Sequence, residues 1–124
     1  MIMPRDERKL IGKKGEELAY GYLRKLGYAI LEKNYRCPFG EIDIIARDKK
    51  TLVFVEVKSR TTDDFGYPEE AVGKDKQRKI VLCAQQYLLK NEKDNTPVRF
   101  DVIAIKMGNN RTEITHFKDA LEIN

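Results

Sequence analysis

Four charges stand inside two otherwise apolar runs: Glu41 and Asp43 in GEIDIIA, Glu56 and Lys58 in VFVEVKS. Both runs read as strands joined by a short polar turn. Strand alternation puts Glu41, Asp43 and Ile45 on one face of the first, opposite Ile42, Ile44 and Ala46. In the second, Leu52, Phe54, Glu56 and Lys58 face away from Val53, Val55 and Val57. The valine and isoleucine face is wholly apolar and reads as packed. The other face is divided, with Ile45, Leu52 and Phe54 near the turn and the charges at the far end. An ordinary half-exposed hairpin is polar along the whole of its outer face. Charge confined to one end describes a polar cleft opening beside a core.

Register decides whether the carboxylates meet. If Arg47 pairs with Leu52 around a four-residue loop, Asp43 falls opposite Glu56, with Cβ atoms about 4.5–5.5 Å apart. A one-residue slip would turn Asp43 into the valine core, a costly place for a charge. Facing carboxylates repel unless they share a proton or hold a cation. Lys58 supplies one positive charge, and a divalent ion would supply more. Carboxylate oxygens suit Mg²⁺ or Mn²⁺. The competing reading is an internal salt bridge from Lys58 to Glu56 or Asp43 with nothing bound, since structural ion pairs cluster in the same way.

The elements that must position these groups follow from periodicity and punctuation. Residues from about Glu7 to Leu26 have helical spacing, with Ile11, Leu18, Ala19, Tyr22, Leu23 and Leu26 as the apolar stripe and Gly27 as its stop. Tyr28–Arg36 reads as a first strand, CPFG as a turn, and Glu41–Ala46 and Leu52–Lys58 as the charged hairpin. Ser59–Gly73 reads as a loop. Lys74–Asn91 forms a second helix with Ile80, Ala84, Tyr87 and Leu88 as its apolar face. Val98–Met107 and TEITHF read as strands, and Ala120–Asn124 as a terminal helical turn. The order α-β-β-β-α-β, with a small β extension, is that of an α/β domain with one mixed sheet flanked by helices. One helix layer is expected to be better filled than the other.

At 124 residues the chain has the length of one domain, 1–124. Its 41% hydrophobic and 35% charged residues give a soluble globular balance. No run reaches the 18 or so apolar residues a membrane helix needs, and the charged N-terminus lacks a signal-peptide core, so no membrane partner is expected. Cys37 and Cys83 match no metal spacing and read as reduced thiols of a cytoplasmic protein. The net charge of +4 favours a polyanionic partner only weakly, so the position of the charge matters more than its sum. Lys13 and Lys14 on the first helix, Arg60 after the hairpin, and Lys74, Lys76, Gln77 and Lys79 at the start of the second helix are the candidate nucleic-acid contacts. Lysines at a helix start oppose the helix dipole, which points to phosphate contact. The alternative is a solvated helix end. His116 reads as a surface or partly buried histidine, Asp101 as a partner of Arg99 or a neighbouring strand, and Phe65 and Tyr67 as edge cover or base-stacking groups.

Asp43, twelve intervening residues and then Glu56-Val57-Lys58 resemble the PD-(D/E)XK nuclease motif, although its proline is absent. The strings GKKGEELAYGYLRKLGY, NYRCPFGEIDIIA, VFVEVKSR, GYPEEAV, KQRKI and RFDVIAI resemble the YraN-like bacterial protein family, from Gly12 to about Ile105. That family is similar to archaeal Holliday junction resolvases, which implies a restriction-endonuclease-like core. It implies Mg²⁺- or Mn²⁺-dependent hydrolysis of phosphodiester bonds, in DNA rather than RNA, with branched or structured DNA as the expected substrate. Asp43, Glu56 and the Val57 carbonyl would ligate the metal, and Lys58 would act as an electrostatic and positioning group. The resolvases place a helix glutamate at the site. At about 100° per residue Glu16 lies just beyond the Leu23 edge of the apolar stripe and Glu17 on the polar side, so Glu16 is the candidate. Resolvases act as dimers, so a homodimer is a further expectation. The alternative function is a non-catalytic nucleic-acid-binding module of the same fold.

Overall fold

The computed structural model describes residues 5–61, 73–93, 95–108 and 110–121. The chain runs α1 (Arg5–Lys25), β1 (Ala29–Cys37), β2 (Gly40–Asp48), β3 (Thr51–Thr61), α2 (Lys74–Lys90), β4 (Val98–Met107) and β5 (Thr112–Phe117). The order is the expected one. The difference is in β3, which continues through Ser59, Arg60 and Thr61 rather than ending at Lys58. The remainder of that expected loop, Phe65 and Tyr67 included, lies outside the described residues. So does most of the expected terminal turn, and Ala120 and Leu121 are not helical.

The sheet has the order β1-β2-β3-β4-β5. Only β3 and β4 are parallel; the other neighbours are antiparallel. Parallel neighbours need a crossover, and α2 lies within it. One helix covers each face. On one side Ile80, Cys83, Ala84 and Tyr87 of α2 pack on Ile45, Leu52, Phe54, Phe100 and Val102. On the other, Ala19, Tyr20 and Leu23 of α1 pack on Ile44, Ala46, Val53, Val55, Ile103 and Ile105. Among the described residues the two faces are filled almost equally, with eleven and ten buried residues, and not unequally as expected.

The buried line of α1 is Gly15, Ala19, Leu23, rotated from the expected stripe so that Leu26 is left half exposed. Small side chains at four-residue spacing let the helix approach β3 closely, and they carry Glu16 along the same edge. Gly27, at φ 92°, ends the helix: its N–H bonds to Arg24 O at 2.9 Å, and Tyr28 N–H bonds to Leu23 O at 3.0 Å.

Cys37 and Cys83 are joined by a disulfide, with Cα atoms 5.8 Å apart. This corrects their reading as separate reduced thiols. The residues are 46 apart in the chain and give no spacing signal. They meet because α2 lies across the β1–β2 face, where Cys83 is fully buried and Cys37 joins the same cluster. Among the described residues no helix is long and apolar enough to cross a membrane.

Candidate active site

The β2–β3 ladder runs from Asp48/Thr51 to Ile44/Val55 and stops. Its register is the expected one, Arg47 opposite Leu52, with the loop shortened to Lys49–Lys50 because Asp48 also pairs with Thr51. One further step would set Asp43 squarely opposite Glu56. The strands part there instead. Asp43 Oδ2 accepts the Val57 N–H at 2.8 Å, so a side chain takes the donor that a continued ladder would have used. Alternation in β2 breaks at the same point: Ile42 packs with Ile45 on the α2 side, while Ile44 and Ala46 pack on the α1 side. The expected ladder pair is therefore corrected. Asp43 and Glu56 stay close enough for the Glu56 charge to act on Asp43, but across parted strands.

A cleft of about 360 Å³ opens where the strands part. Arg8, Ile11, Gly12 and Glu16 of α1, Asp43 of β2, residues Glu56 to Thr61 of β3 and Lys76 of α2 line it. Seven of the residues singled out in the sequence thus meet: Glu16, Asp43, Glu56, Val57, Lys58, Arg60 and Lys76. Lys13, Lys14, Lys74 and Lys79 are exposed and do not line it, nor does half-buried Gln77. Two further groups escaped the sequence reading. Arg8 stands two helical turns before Glu16, a spacing that puts both on one face. Asn34, at φ 52° in β1, turns its amide to two carboxylates: with the nitrogen set toward them, the orientation that satisfies both, it donates to Glu16 Oε1 at 3.0 Å and to Glu41 Oε1 at 2.8 Å. Nothing short of tertiary contact joins Asn34 to the helix.

The floor of the cleft is acidic and crowded. The Glu56 side chain is 5% exposed; Lys76 forms its closest ion pair, and Lys58 Nζ stands 3.8 Å away. Burial, then the charge of Glu56, pushes Asp43 up to about 8, against the opposing Val57 hydrogen bond. Burial also raises Glu16, the Asn34 bond opposes it and Glu41 adds to it. Lys58 moves down: burial and then Lys76 outweigh the pull of Glu56 and Asp43. The carboxylates alone would have held Lys58 up; burial first, and the second lysine after it, carry it the other way. For Lys76 burial opposes the charge, but the bond to Glu56 and the surrounding carboxylates hold its affinity for the proton above the usual value.

Glu16, Asp43 and Glu56 are all hard oxygen donors, a donor set that suits Mg²⁺ or Mn²⁺, and burial with neighbouring carboxylates disfavours the charge on Glu16 and Asp43. Among the described residues no three of them stand close enough to enclose an ion in this conformation, and Lys76 supplies positive charge at Glu56.

A second polar cluster lies toward the hairpin turn. Asp101, fully buried, bonds to Arg99 Nε at 2.9 Å, to His116 Nε2 at 2.7 Å and to the Asp119 N–H at 3.1 Å. Arg99 continues to Asp48 and to the Tyr28 hydroxyl, and His116 Nδ1 to the Tyr22 hydroxyl. His116 is the partly buried histidine of the two placements expected, with its side chain 5% exposed. Every polar group in the cluster has a protein partner, which suits a fastening role.

A five-stranded mixed sheet between two helices, with an acid and lysine cleft where its second and third strands part, defines a restriction-endonuclease-like α/β core. The chain belongs to the Uncharacterised protein family UPF0102, whose family model matches residues 15–105 and so takes in Glu16, Asp43, Glu56, Lys58 and Lys76. It is 47% identical over 117 residues to the UPF0102 protein of Syntrophotalea carbinolica, covering 94% of this chain and 95% of that one. The UPF0102 protein of Syntrophus aciditrophicus is 49% identical over 123 residues, 99% of this chain and 97% of its own. That of Persephonella marina is 50% identical over 112 residues, 90% and 93% of the two chains.

Proposed function

We propose that this protein is a metal-dependent endonuclease that hydrolyses phosphodiester bonds in DNA, with branched or otherwise structured DNA as the favoured substrate. One observation carries the reading: Asp43, Glu56 and Lys58 come from two parting strands to meet Glu16 and Lys76 in one cleft. Asp43, Glu56 and the Val57 carbonyl would hold Mg²⁺ or Mn²⁺, with Glu16 at its edge. A bound divalent ion would supply charge neutralisation at the phosphate and a more acidic water. Lys58, held on β3 and shifted toward its neutral form, is suited to orient or deprotonate an attacking water. Arg8, Arg60 and Lys76 line the same cleft and are suited to phosphate oxygens. Cutting two symmetric strands would need two copies.

The test is cleavage of end-labelled duplex, single-stranded, flap and four-way junction DNA with Mg²⁺, Mn²⁺ or EDTA. The expected result is metal-dependent cleavage that disappears in Lys58→Ala. Cleavage surviving that substitution belongs to a contaminant. Junction binding without cleavage would favour the second reading, a nucleic-acid-binding module. The Lys76–Glu56 pair speaks for that reading, because it balances the carboxylate without any ion.

A further inference from the structure

Glu56 and Lys76 are unequal partners. The carboxylate is fixed in the cleft floor on a central strand, its side chain 5% exposed, whereas that of Lys76 is 45% exposed. A lysine on a four-carbon stem can leave such a pair by rotation alone. Lys76 is the third residue of α2, where the helix dipole already disfavours a cation. Among the described residues no hydrogen bond joins its side chain to the helix backbone, so departure leaves the helix intact. Glu56 cannot leave, and the Lys58 ammonium at 3.8 Å would be its nearest remaining cation, a weaker balance for a buried carboxylate. Whatever displaces Lys76 must therefore bring positive charge with it.

Building on the endonuclease reading, we infer that Lys76 is a displaceable counter-cation: its ammonium occupies Glu56 in the free protein, and a divalent ion exchanges with it and frees it to meet a phosphate. Lys58 does not fill this role, since it lies farther from Glu56 and is more enclosed. The exchange also accounts for carboxylates that do not close around an ion while Lys76 is seated. It makes ion binding and polyanion binding mutually favourable, because each draws Lys76 to the same position.

The probe is Mn²⁺ alone, titrated into wild type, Lys76→Met, Lys74→Met and Asp43→Asn and followed by loss of the free-ion paramagnetic resonance signal. Lys74→Met removes the same charge from the same helical turn, outside the cleft lining. Lys76→Met should bind Mn²⁺ about tenfold more tightly than wild type, a common size for coupled sites, with Lys74→Met near wild type and Asp43→Asn without binding. Equal gains in the two lysine variants, or none in Lys76→Met, would overturn the exchange and leave the metal reading standing. Absence of binding in wild type and Lys76→Met alike, or binding that survives Asp43→Asn, would remove both. Wild type provides a check that needs no folded variant. Competitive acetylation read by mass spectrometry should show Lys76 becoming more reactive when Mn²⁺ is added while Lys90 does not change. Unchanged Lys76 reactivity would also overturn the exchange.

Discussion

Asp43 is held where its charge is unwelcome, and that has a sign that can be measured. Burial and Glu56 raise it from 3.8 to about 8. Between those values the folded chain binds more protons than the unfolded one, so this residue's contribution to stability is lost as pH rises through the window. Asp43→Asn should keep an acceptor for the Val57 N–H while removing the charge. It should raise stability by about 0.5–2 kcal/mol above the window and change it little below, as read by urea unfolding at the two ends. Destabilisation at the alkaline end would show that the carboxylate is a structural asset. The same proton must leave before a divalent ion can bind. Mn²⁺ affinity should therefore climb as pH rises through about 8. Calorimetry in buffers of differing ionisation enthalpy should detect the released proton; pH-independent binding would place the ion elsewhere.

At the scale of elements, the cleft depends on how closely α1 approaches β3. A Cβ added to Gly15 would come within 1.7 Å of Ser59 Oγ and 2.9 Å of Ser59 Cβ, so helix or strand must give way. Gly15→Ala should cost about 1–3 kcal/mol by overpacking and move Glu16 off the cleft, weakening Mn²⁺ binding as well. Ser59→Gly in the same chain should restore both, and failure of that rescue would mean the helix position does not govern the site. At the turn end, Asp101 fastens strands to helix. Asp101→Ala would strand Arg99 and His116, at about 3–5 kcal/mol. Burial alone would raise Asp101, but His116, Arg99 and the Asp119 N–H hold it below the usual aspartate range. Its stabilisation is thus present above the unfolded value and lost as pH falls through the folded one, opposite to Asp43, and acid unfolding of Asp101→Asn against wild type measures it. The elements themselves were legible, because periodicity and turn residues are local: β4 and β5 match their expected limits. Hairpin register was not fixed by the sequence, but the need to keep a charge out of the valine core favoured the Arg47–Leu52 pairing that is found. The parting of β2 from β3 was not legible, since it depends on a carboxylate taking a backbone donor fourteen residues away. Asn34 and Arg8 were missed for the same reason, their importance arising only when α1 is laid on the sheet.

Over the whole molecule the least legible feature is the covalent one. A pair of cysteines 46 residues apart carries no pattern, and the expectation of a cytoplasmic protein argued against pairing, so only the packing of α2 over β1 brings the sulfurs together. The link has a consequence for the cleft. Cys83 stands two helical turns after Lys76, and Cys37 ends the strand whose partner residue is Gly40, near the parted end of β2. The disulfide thus anchors the helix that carries Lys76 to the edge of the sheet that carries Asp43. Closing a loop of this size constrains the unfolded chain, and losing it should cost about 2–4 kcal/mol. Protein denatured without reductant should show no titratable thiol, and reduction should expose two. Reduction should also lower the urea midpoint by that energy and loosen α2, so that Lys76 acetylates faster even without Mn²⁺. Two thiols before reduction would mean the sulfurs pack unbonded. An unchanged midpoint after reduction would mean that the interlocked apolar faces, not the cross-link, hold α2 over the cleft.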